Sequence, residues 1–255
     1  MNIFQYDKTF EGFLSLVFES FSLKVIPNRI EDLEASEPYL WMEKYRITTN
    51  PDKSNRVWNA LKNKLGHEAS FAVFRIHLAG IAEMEMVLFR YVCKALASKQ
   101  SISDNFADPD VLAITKFDKK VCREAQRMLE FVRFQKTGDG IFFCSMDPEY
   151  NILPLIINHF ETRFADQQWL LYDFKRNYGF YYNLEKTSQI TMQLDSVNKH
   201  TGKVNKDILA EEEVLFQDLW KQYFKSTCIE ERKNKCLQMQ HMPKRYWKYL
   251  TEKQS

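Results

Sequence analysis

The residues most suited to chemistry in this chain are fixed cations set among large flat side chains: Glu231-Arg232-Lys233-Asn234, then Pro243-Lys244-Arg245-Tyr246-Trp247-Lys248-Tyr249-Leu250. From Leu219 to Ser255 there are nine Lys/Arg against three Glu, an excess of six positive charges in a chain whose formal net charge is +2. Lysine and arginine neutralise phosphates, and Tyr or Trp offers a face on which a base can stack. Arg232, Asn234, Arg245, Tyr246 and Trp247 are therefore candidate nucleic-acid contacts. A second reading fits the same residues. Trp247 and Tyr246 lie three and four positions before Leu250, so one helical face can dock them on a core.

A second basic group is Lys116, Lys120, Arg123 and Arg127, at steps of four, three and four, with Arg133 just beyond. On a helix these residues form one stripe that can follow a phosphate backbone, opposite Phe117, Val121, Ala125 and Met128. Glu124 and Glu130 offset part of that charge, and a solvated helix face explains the stripe equally simply. A third group is His159 and Arg163 on one helical face, with Asp173 and Arg176 at a following strand end and turn. If they converge, a His with a carboxylate does acid–base work while two arginines hold a phosphate. A structural Arg–Asp bridge beside an unrelated His is the plainer alternative.

Several catalytic signatures are missing. The chain has no phosphate loop, no dinucleotide fingerprint, no nucleophile elbow and no H-E-x-x-H or zinc-deaminase pattern. Asp147, Glu149 and Glu161 suggest no nuclease metal site, and no metal or cofactor is implied. The five cysteines are scattered and none forms C-x-x-C, which fits reduced thiols in a cytoplasmic protein. Residues Met1 to Phe10 lack a basic stretch followed by an apolar run, and no apolar run approaches a membrane span.

The elements that must position these residues follow from periodicity. Ile3 to Tyr6 alternates as a strand, Thr9 caps a helix over Phe10 to Phe21, and residues 28–55 read as a loop with an extended piece near Tyr45. Helical spacing then runs from Asn55 to Leu129, broken near Ser103 to Asp108, with Pro109 at a first helical position. Phe131 to Lys136 and Ile141 to Met146 flank Thr137-Gly138-Asp139-Gly140 as a hairpin. Pro154 to Phe164 is a helix. Trp169 to Phe174, Phe180 to Leu184 and Gln189 to Leu194 are strands, and Ile208 to Phe224 is an amphipathic helix. This order predicts an α+β fold, with a mostly antiparallel sheet, a central helical region and a basic C-terminal helical tail. One domain over residues 1–255 is expected, with helices at about 55–130, hairpin and sheet at about 131–194 and C-terminal helices at 207–255.

Five blocks of this chain resemble a bacterial DUF4130-type family associated with DNA metabolism and DNA repair. They are "IFQYDKTFEGFL", "EMEMVLFRYV", "KVCREAQRMLEFVRFQ" running into "DGIFF", "LPLIINHFETRFADQQWLLYDFKRNYGFYYN" and "ERKNKCLQMQHMPKRYWKYLTE". The resemblance implies a neighbour, a radical SAM protein acting on DNA, and in other proteins a fused uracil-DNA-glycosylase-like domain. This chain lacks the C-x-x-x-C-x-x-C cluster motif, so the likeness points to the stand-alone partner. No catalytic residue carries over. The first expectation is a nucleic-acid-binding accessory that presents DNA to the radical SAM partner. The alternatives are an enzyme acting on a phosphodiester or modified base through His159 and Asp173, and an adaptor that contacts protein alone.

Overall fold

The computed structural model describes residues 2–35, 41, 43–191, 197–198, 202 and 204–253. The chain divides into two compact units, Met1–Cys122 and Arg123–Ser255. No helix among the described residues is long and apolar enough to cross a membrane.

In the N-terminal unit the alternating start forms β1 (Asn2–Tyr6), which buries Ile3, Phe4 and Tyr6. The expected cap is present: the Thr9 hydroxyl accepts from the Gly12 N–H at 2.9 Å and starts α1 (Phe10–Leu23). The span read as loop contains β2 (Arg29–Asp32), the expected extended piece near Tyr45 is β3 (Glu43–Arg46), and both strands pair with β1 in parallel. Their edge positions explain why alternation did not reveal β2, in which Ile30 is the one apolar residue. Asn50 caps α2 (Pro51–Ala79), which starts before the expected Asn55 and kinks at Gly66 (φ 78°), a backbone angle that glycine tolerates. α3 (Ala82–Ala97) follows, and α4 (Pro109–Phe131) runs on across the division between units. Phe4, Phe13, Leu61, Ile76, Leu88 and Phe89 are among the residues of this unit's core.

The C-terminal unit carries a five-stranded sheet in the order β4-β5-β6-β7-β8. Its strands are β4 (Gln135–Lys136), β5 (Phe142–Met146), β6 (Trp169–Asp173), β7 (Tyr178–Tyr182) and β8 (Thr187–Ile190). The hairpin through Gly140 (φ 86°) forms, but its first strand is two residues long because α4 continues to Phe131. The expectation of a mostly antiparallel sheet is corrected here. The three-stranded sheet is wholly parallel, and β5 pairs with β6 in parallel. The reason is the intervening α5 (Leu153–Arg163), a helical crossover that returns the chain to the same end of the sheet. The expected strand through Leu194 is β8 as far as Ile190, and residues 192–196 lie outside the described residues. The last helices are α6 (Glu213–Thr227) and α7 (Lys235–His241), followed by 3-10 turns at Lys244–Tyr249 and Thr251–Lys253.

Gly179 sits in β7 opposite Tyr172, and a Cβ there would overlap the Leu171 carbonyl oxygen and come within 2.8 Å of Tyr172 Cδ2. Gly179→Ala is expected to cost about 2 kcal/mol or more through forced backbone displacement, measured by urea unfolding. An unchanged midpoint would show that the β6–β7 pair tolerates the methyl group.

Candidate nucleic-acid interface

The placement of the basic tail depends on one buried carboxylate. Glu124 on α4 is 2% exposed. Its oxygens accept from the backbone N–H groups of Glu149 and Tyr150, both at 2.9 Å. Arg245 donates to it at 3.3 Å, and the Tyr246 hydroxyl donates to it at 3.2 Å. The Tyr246 ring packs on Phe131 with centroids 5.3 Å apart and is 3% exposed, while Leu250 is fully buried. Burial pushes the Tyr246 phenol up, so it stays protonated as a donor. Arg245 also donates to Glu149 at 3.0 Å. Arg245 and Tyr246 therefore serve as anchors, and the Tyr246 ring is not on the surface.

A second carboxylate fixes α6 and the last turn. Glu252 accepts from Arg133 at 2.8 Å and from the Trp220 indole N–H at 2.9 Å. Burial would raise its pKa, but the bonds from Arg133 and Trp220 prevail and hold it below the usual carboxylate range. At the start of α6, Glu213 accepts from the Lys136 N–H at 3.0 Å.

Residues of α6, α7 and the last turns, Glu252 among them, line a cleft of about 1280 Å³. Lys221 and Lys225 of α6 line one part, Arg232, Lys233 and Lys235 another, and Lys244 and Lys253 a third. The aromatic residues in its wall are Phe224 and Trp247. The single carboxylate among its lining residues is Glu252, already neutralised by Arg133. Asn234 lines it too, and its side chain accepts from the Leu237 N–H at 3.0 Å, capping α7. A concave surface with seven Lys/Arg, two aromatic residues and one neutralised acid suits a phosphate-bearing chain.

Of the residues expected at a nucleic-acid surface, the structure gathers Arg232, Asn234 and Trp247 in this cleft. Arg133 is held by Glu252, and Arg127 donates to the Gln240 carbonyl at 3.2 Å. Arg123 is exposed on α4, and Lys116 and Lys120 are exposed on that helix within the N-terminal unit. Lys221, Phe224, Lys225 and Lys253 were not singled out from sequence. The charge count included the lysines, but spacing alone did not place them together.

The four-residue acid–base group does not assemble. Asp173 is fully buried, accepting from the Lys175 N–H at 2.8 Å and from the Arg176 guanidinium at 2.8 Å. Arg176 donates onward to the Pro148 and Glu149 carbonyls, so the pair ties the β6–β7 turn to the segment after β5. His159 is exposed on α5 beside Phe160, and the Arg163 guanidinium lies over Phe164. Among the described residues no hydrogen bond or ion pair joins His159 or Arg163 to Asp173 or Arg176. No group of three His, Cys, Asp or Glu among them is placed to hold a metal ion.

The family model for the domain of unknown function DUF4130 matches residues 82–252, two thirds of the chain, and the chain belongs to that family. No curated protein matches. A solved structure, the pGpG-specific phosphodiesterase PggH from Vibrio cholerae, aligns over 89% of this chain and 99% of its own at 10% identity. Its TM-score of 0.33 carries no argument about fold or chemistry.

Most of the N-terminal unit precedes the matched residues, and it holds a polar cluster that sequence reading missed. The Tyr6 hydroxyl donates to Glu85, and Lys8 donates to both oxygens of Glu85 at 2.8 and 2.7 Å. With the Tyr6 hydroxyl proton directed at Glu85, the 3.2 Å contact with His77 Nε2 is donated by the imidazole. These four residues line a cavity of about 320 Å³. Burial, helped by Lys8, lowers the His77 pKa from 6.5 to about 4, so the ring is neutral at pH 7. The unfolded chain takes up a proton near the ordinary value and the folded one resists it. Stability is therefore full above about pH 6.5 and falls as pH drops toward 4, by about 3 kcal/mol in all. Urea unfolding between pH 7 and 4 should show that loss, and His77→Gln should lack it. A variant with the same acid sensitivity would assign the effect to other groups.

Proposed function

We propose that this DUF4130 protein is a nucleic-acid-binding accessory of DNA metabolism, which holds DNA in the basic cleft of its C-terminal unit. The observation that carries this reading is the sign imbalance of that cleft. Seven Lys/Arg line it, and its one acid is already paired with Arg133. In a chain with 36 Lys/Arg and 34 Asp/Glu, a solvated surface would mix its signs. Concentrated cations in a concave wall raise the local concentration of a polyanion and speed its capture. The family resemblance supplies the biological setting, in which the accessory presents DNA or a DNA lesion to a radical SAM partner that performs the reaction. Tail residues outside the cleft, Arg245 and Tyr246 above all, keep the cleft wall in place.

Fluorescence anisotropy with labelled DNA across a salt series tests this. Binding is expected to weaken steeply with salt. Replacing Lys225, Arg232 and Lys244 together by Gln should reduce the magnitude of the log–log slope by about 2, at 0.7 to 0.9 per lost phosphate contact. Arg245→Ala should leave that slope unchanged while lowering the unfolding midpoint, because its guanidinium is bonded to Glu124 and Glu149. Absence of binding at low salt would sink the reading. Co-purification with the neighbouring radical SAM protein, with and without DNA, tests the partner separately.

A further inference from the structure

Within the basic cleft, Lys253 has an unusual position. Its ammonium lies over the Phe224 ring at 5.2 Å and over the Trp247 ring at 5.1 Å. Two aromatic faces thus point at one cation. Among the described residues Lys253 makes no ion pair, although Glu252 is its neighbour in sequence, because that carboxylate is turned to Arg133 and Trp220. The Trp247 ring is held in place by its indole N–H, which donates to the Met242 carbonyl at 2.9 Å. The Lys253 backbone is fixed by its N–H to the Leu250 carbonyl at 2.9 Å, above the fully buried Leu250. The Trp247 ring and the Lys253 main chain are anchored, Phe224 is carried on α6, and the long aliphatic stem of Lys253 is the part free to change rotamer.

We propose that the cleft selects single-stranded nucleic acid by seating one unpaired base between Phe224 and Trp247, in the position now held by the Lys253 ammonium. This rests on the proposed nucleic-acid function and names its substrate class. An ammonium over half-buried rings open to the cleft gains a modest attraction, and a stacked base on the same faces gains more. The displaced ammonium loses its ring contacts and meets the phosphate that arrives with the base. A duplex offers no such base, since its rings are stacked on each other and must be extruded at a cost before one enters. Cations alone read the backbone of either form, so the aromatic slot is what discriminates.

The test measures anisotropy of short labelled oligothymidylate and of a labelled duplex of equal length, at matched salt, with the full chain. The single strand is expected to bind at least about tenfold more tightly. Trp247→Ala should weaken single-strand binding by roughly tenfold to a hundredfold with an unchanged salt slope, and leave duplex binding nearly unaltered. Trp247→Phe keeps a ring face and should retain most of the affinity. Phe224→Leu, which keeps bulk but removes the flat face, gives an independent reading if Trp247→Ala fails to fold. Equal affinity for both forms, or salt-sensitive binding indifferent to both ring variants, overturns this inference while leaving the cleft as a phosphate-binding surface. Loss of all binding in the unsubstituted protein overturns the proposed function and this inference with it.

Discussion

A carboxylate buried at 2% exposure is stable only if its oxygens are bonded, and in Glu124 that requirement organises the C-terminal unit. It joins three segments: α4 contributes the acid, the residues after β5 contribute two N–H groups, and the tail contributes Arg245 and Tyr246. Removing any one partner leaves a desolvated charge short of a bond. The tail is therefore held by a defined set of polar contacts around the buried Tyr246 ring and Leu250, and the cleft beside it inherits a fixed wall.

Charge pairing then sorts the cations into two populations. Arg133, Arg245 and Lys248 each meet an acid, Glu252, Glu124 with Glu149, and Asp147 respectively. Their charge is largely cancelled where it stands, and it holds segments together. Lys225, Arg232, Lys244 and Lys253 line the cleft without an ion pair among the described residues. A global charge of +2 conceals this partition, since it sums cations that anchor with cations that face the cleft. The field within the cleft comes mainly from the second population.

The N-terminal unit follows a different logic. Its small parallel sheet leaves the end of β1 beside α2 and α3, and Tyr6, Lys8, His77 and Glu85 meet there. The hydroxyl of Tyr6 donates on one side and accepts on the other, which places two helices against the strand with each polar group bonded. That arrangement keeps an imidazole neutral inside the unit, and it makes the unit sensitive to acid.

Local patterns decided much of this protein. Thr9 marks a helix start because a short polar side chain at that position bonds a free N–H nearby, and Pro109 starts α4 because its fixed φ suits a first turn; Asn50 caps α2 in the same way, although apolar spacing pointed to a start at Asn55. The excess of cations after Leu219 was countable from the chain alone, and the likeness to DUF4130 was visible there too in the blocks from Glu83 onward, while the block at Ile3 to Leu14 precedes the matched residues. Strand direction was less accessible: β2 lacks alternation, and the parallel β5–β6 pair is set by a crossover rather than by either strand's own residues. The roles of the cations were decided by tertiary structure. Arg245 and Glu124 are 121 residues apart, and Arg133 and Glu252 are 119 apart. Whether a cation anchors or faces a ligand depends on which acid the fold brings within reach, and nothing in local spacing records that.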